Sequence, residues 1–94
     1  MLASLRLLKY VTSFSEGRVR IRHPALRREK TAQAAYERLC SMEGVTSVEY
    51  NTLSGSVLIL YDSTLLSQEN LITLGIAWAR WLDAIHAGQP AQMP

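Results

Sequence analysis

The sequence predicts an α+β sandwich with the element order β-α-β-β-α. Three observations carry that prediction. Residues Arg18 to Arg22 alternate charged and apolar, the period of a half-buried strand. Ala32, Ala35, Tyr36, Leu39 and Cys40 recur at helical spacing. Two β-rich stretches meet around Ser54-Gly55 and lead into a long apolar helical pattern from Gln68 onward.

The first strand spans Arg18 to Arg22, with Val19 and Ile21 facing one way and the arginines the other. Pro24 ends it, because proline offers no donor to a sheet ladder. The first helix is expected from about Arg27 to Met42, with Cys40 on its buried face and Gly44 as its terminator. Val45 to Asn51 and Val57 to Tyr61 form the next two strands, and Tyr50 faces inward with Val48. Ser67 caps a second helix from Gln68 to about Ala87, with Glu69 in its electropositive first turn. A right-handed crossover then sets the first strand beside the third and both helices on one face. That is a ferredoxin-like split βαβ arrangement. Its fourth strand is absent or replaced by the N-terminal segment: residues Tyr10 to Phe14 as a pairing strand, or residues 2 to 9 as a short helix, are both open.

Ninety-four residues, 48% of them hydrophobic, support one small core. The expected division is an N-terminal segment 1–14, a domain 15–87 and a flexible Gly/Pro/Gln-rich tail 88–94. A net charge of +2 is too small for a dedicated nucleic-acid binder. The single cysteine excludes an internal disulfide and any two-thiolate metal site, and it suits a reducing cytoplasm. Arg6 and Lys9 interrupt the apolar start, so no secretory signal is read there. The uncharged run 70–79 falls short of the roughly 20 residues a membrane span needs. The expected setting is the cytoplasm, with peripheral contact to the inner membrane.

The stretches "GRVRIRHPAL" and "MEGVTSVEYNTLSGSVLILYD", with their flanking helices, resemble the heavy-metal-associated domains of bacteria. The resemblance covers about residues 15 to 83 and is to the divergent branch without the metal-binding cysteine pair. It implies the ferredoxin-like fold and a setting in metal homeostasis. Cysteine-bearing members hold copper(I) or zinc through M-x-C-x-x-C between the first strand and first helix. Here that loop reads "RHPALRREK" and contains no thiolate, the donor that copper(I) prefers. The resemblance therefore implies a non-catalytic accessory domain, partnering a P-type metal-transporting ATPase, with no cofactor.

His23 is the metal candidate of that loop, with Glu29 and His86 the other donors by type, but one imidazole is not a donor set. It is expected to hydrogen-bond backbone near Pro24. Cys40 has no flanking base to activate it and reads as a packing residue. The partner- or anion-binding candidates are Arg18, Arg20 and Arg22, about 6.6 Å apart on the open sheet face, with Arg27 and Arg28 after them. Charges on an edge strand also guard against sheet-to-sheet aggregation, which is the competing use.

If Val57, Ile59 and Tyr61 face the helices, Leu58 and Leu60 point to the open face, and the opposite register would expose Val57, Ile59 and Tyr61 instead; either way this strand is apolar on both faces, which suggests a cover or a second subunit. Trp78 and Trp81 widen the apolar face of the second helix and are interface candidates, unless the N-terminal segment packs there. The chain has no carboxylate pair at motif spacing, no phosphate loop and no nucleophile with a base, so no catalysis is expected. An interaction module, with self-association as a second mode, fits best. A basic anion- or nucleic-acid-binding module is the alternative, but the open face lacks stacking aromatics.

Overall fold

A computed structural model describes residues 9–94. Strands β1 (Val11–Ser15), β2 (Arg18–Arg22), β3 (Val45–Asn51) and β4 (Ser56–Tyr61) form one antiparallel sheet in the order β1-β2-β4-β3. Helices α1 (Glu29–Cys40) and α2 (Gln68–His86) join them, with a 3-10 turn over Pro24–Arg27 between β2 and α1. The fold is a ferredoxin-like α+β sandwich. β2 and β4 are central neighbours, as a split βαβ unit requires. The edge place beside β2 is filled from the N-terminal side of the chain, by β1. Val11 and Phe14 oppose Ile21 and Val19, so β1 completes the helix-facing layer. The short-helix alternative for residues 2 to 9 lies outside the described residues except at Lys9, which sits in a turn.

The first helix is shorter than its periodicity suggests. Pro24 begins the 3-10 turn rather than simply ending a strand, and α1 starts only at Glu29. Proline fits a first helical position because its missing N–H has no partner to lose there. Leu26 on that turn is buried to 2% exposure and ties the loop into the core, a burial worth about 1.5–3 kcal/mol.

Ala32, Ala35 and Leu39 are the buried line of α1. Cys40 is exposed, contrary to its expected packing role. Helical spacing locates a stripe but not its width: Ala32, Ala35 and Leu39 form its buried centre, while Tyr36 and Cys40 at its edge stay exposed. Ser67 caps α2 as expected, its hydroxyl accepting from the Asn70 N–H at 3.2 Å.

The core joins Val19, Val57 and Ile59 of the sheet to Ala35, Leu39, Trp78, Trp81 and Leu82 of the helices. Trp78 and Trp81 meet edge to face at 5.5 Å and are buried at 6% and 7% exposure. This corrects their expected role as interface residues, since both spend their surface inside the chain. The tail has no regular structure after Gly88, yet Met93 packs on the core and the Arg38 Nε–H donates to the Pro94 carbonyl at 3.0 Å.

Candidate functional site

The pairing of β2 with β4 builds the open face. Arg18 stands opposite Leu60, Arg20 opposite Leu58 and Arg22 opposite Ser56. On the far side of β4, Ser47, Glu49 and Asn51 oppose the same three positions. Side chains alternate across a sheet, so these residues share the face away from both helices. Leu58 is half-buried and Leu60 is 37% exposed, with no described helix over them. Arginine stems beside them supply methylene cover while the guanidinium groups stay in water.

Two arginines of the row are anchored. The Arg18 Nη1–H donates to Ser13 Oγ at 3.2 Å, and the Arg22 Nε–H donates to the Ser54 carbonyl at 2.9 Å. The Arg20 side chain is exposed and makes no hydrogen bond or ion pair among the described residues. Arg27 and Arg28 fall outside this row, in the 3-10 turn and at the start of α1. Arg27 instead lies against the β3–β4 turn, its Cγ 3.1 Å from where a Cβ on Gly55 would stand. No aromatic residue belongs to the open-face register of β2, β3 and β4.

His23 follows the row but points the other way, into the core at 2% exposure. Its Nδ1 accepts from the Ala25 N–H at 3.0 Å, the backbone bond expected near Pro24. That fixes the ring proton on Nε2, which donates to Asp83 Oδ1 at 2.9 Å. The same carboxylate oxygen accepts from the Tyr10 hydroxyl at 2.6 Å. Asp83 and Tyr10 were not legible as partners of His23, because they lie 60 residues after it and across the β1–β2 hairpin before it. The His86 ring meets His23 edge-on at 6.0 Å. Both ring nitrogens of His23 are therefore committed, and neither lone pair is offered to an ion.

The donor chemistry does not fit a metal. Among the described residues no group of three or more His, Cys, Asp or Glu side chains could hold an ion. Cys40 lies at the end of α1 rather than in the β2–α1 loop. Tyr36 is raised above the ordinary tyrosine range by its hydrogen bond with Cys40, which places the thiol beside a phenol and not beside a second soft ligand.

An apolar cavity of about 240 Å³ opens on the opposite side of the sheet, between it and α2. Val11, Phe14 and Ile21 line one wall, and Leu71, Ile72 and Trp78 the other. The backbone of α2 comes near the 3-10 turn, where Asp83 meets His23, and Leu71 and Leu74 of its N-terminal half pack against the core.

No helix among the described residues is long and apolar enough to cross a membrane. No curated protein and no solved structure matches the chain significantly. A family model described as heavy metal associated domain 2 matches residues 7–87, from just before β1 through the end of α2. With the β-α-β-β core, the replaced edge strand and the cysteine-free β2–α1 loop on one chain, the protein belongs to the heavy metal associated domain 2 family.

Proposed function

We propose that this chain is a non-catalytic docking domain of a heavy-metal-handling system, and that its open sheet face binds an acidic surface on a metal-transporting ATPase. The observation that carries this is the β2–β4 register, which sets Arg18 beside Leu60 and Arg20 beside Leu58 on a face that no described helix covers. Arginine next to exposed apolar side chains is the composition of an interface centre, where the apolar part is desolvated and the guanidinium groups select the partner's charge. Arg18 and Arg22 are already held by Ser13 and Ser54, so less side-chain freedom is lost on docking. The absence of aromatic platforms on that face supports a protein partner over single-stranded nucleic acid.

The test is co-purification of the tagged chain with the metal-transporting ATPase of its own source, across a salt series. Wild type should retain the transporter at low salt and release it as the Debye length falls from about 10 Å toward about 3 Å. The Arg18→Gln/Arg20→Gln/Arg22→Gln variant should fold normally and lose at least about tenfold in recovery. Full recovery by that variant sinks the proposal.

A further inference from the structure

We propose that the cavity between the sheet and α2 binds a small uncharged molecule, mostly hydrocarbon, that brings one hydrogen-bond acceptor to the Trp78 indole. Trp78 lines the cavity and is 6% exposed, and its Nε1–H is buried with no hydrogen-bond partner among the described residues. A buried indole N–H ordinarily finds a partner, because leaving it unpaired forfeits the bond it made with water. The indole nitrogen only donates, so what satisfies it must be an acceptor. The cavity runs along that ring and is where an acceptor can be brought.

The wall fixes the rest of the ligand's chemistry. No charged side chain lines it among the described residues, so an ion would be desolvated there without a counter-charge. The other polar lining residue, Gln68, is exposed at the start of α2, which leaves Trp78 as the buried polar group of the described wall. Water suits such a place poorly, since a buried water needs about two to four polar partners. Apolar surface with a placed polar group both holds and orients a small ligand.

Size and access agree with this class. The volume, about 240 Å³, exceeds the roughly 150 Å³ in which an apolar cavity already takes up benzene, and falls short of the roughly 300 Å³ at which sites for drug-sized ligands begin. It suits a molecule of about ten non-hydrogen atoms. Phe14 and Ile72 line it and are 48% and 40% exposed, so it has an open side through which such a molecule enters. This proposal concerns the helix-covered side of the sheet and does not rest on the docking role of the arginine face.

The full chain tests it by NMR titration with two probes of one shape: propiophenone, and 2-phenyl-1-butene, in which a methylene replaces the ketone oxygen. Propiophenone should bind saturably, give nuclear Overhauser contacts to the ring of Phe14, the chain's single phenylalanine, and shift the Trp78 Nε1–H proton downfield. The alkene carries the same phenyl ring, so the difference between the two shifts isolates the hydrogen bond. The ketone should bind about three- to tenfold more tightly than the alkene. Trp78→Phe keeps an aromatic ring without the donor and should bring that ratio to about one, with the alkene still bound. Equal affinity of wild type for the two probes overturns the proposal. So does the absence of saturable binding, whether another part of the chain, a second copy or nothing fills the cavity. If Trp78→Phe fails to fold, the wild-type ratio and the Nε1–H shift decide.

Discussion

His23 and Asp83 join the end of β2 to the C-terminal half of α2 through a single 2.9 Å hydrogen bond, Nε2–H to Oδ1. Asp83 also accepts from Tyr10, the residue before β1, so one carboxylate oxygen gathers three separate elements. The Ala25 N–H on Nδ1 leaves the imidazole one usable tautomer. This is a structural use of the loop position where the resemblance places a metal ligand.

Removing the acceptor should therefore cost stability. Asp83→Ala leaves the buried Nε2–H without a partner, and a loss of about 1–3 kcal/mol is expected in urea unfolding. Asp83→Asn keeps an oxygen acceptor and should lose less. Equal losses from the two variants would mean that the hydrogen bond is not what Asp83 contributes.

The β3–β4 turn should tolerate no side chain at Gly55. Its φ is +71°, and a Cβ there would stand 2.7 Å from the His23 carbonyl carbon's oxygen. The Gly55 carbonyl also accepts from the His23 N–H at 2.9 Å, so turn and loop cannot simply separate. Gly55→Ala combines a left-handed residue with a backbone clash, and about 2–4 kcal/mol of destabilisation is expected by thermal or urea melts. A melt unchanged from wild type would show that the turn can shift away from the loop.

Asp62 should titrate below its ordinary value of 3.8. The Thr64 hydroxyl and then the Thr64 N–H donate to its carboxylate at 2.6 Å and 2.9 Å and favour the charged form. A lowered native pKa contributes stability that is present above the unfolded pKa and is lost as pH falls through the native one. The Thr64 amide shift, followed by pH, reports the titration directly. Thr64→Val, which keeps the backbone donor and deletes the hydroxyl, should move it part of the way back toward 3.8.

Cys40 should react in the folded protein. Its exposure predicts a rate with a disulfide dye within about tenfold of that in denaturant, since access no longer waits for unfolding. A reaction that proceeds only on unfolding would restore the packing role that helical spacing suggested.

The order of strands and long helices from β2 onward, the ends of β3 and the capping of α2 were legible in the chain, because alternation, turn glycines and a serine before an apolar helix are local signals. The direction of the arginine row was legible for the same reason: period two fixes which residues share a face. Tertiary structure decided the rest. It decided that β1 fills the edge place, since hairpin pairing depends on a partner strand and not on the short VTSFS run alone. It turned both tryptophans inward and Cys40 outward, because helical spacing names a face but the packed neighbours decide how much of it is covered. It also brought Tyr10 and Asp83 onto His23, from positions that no local spacing connects.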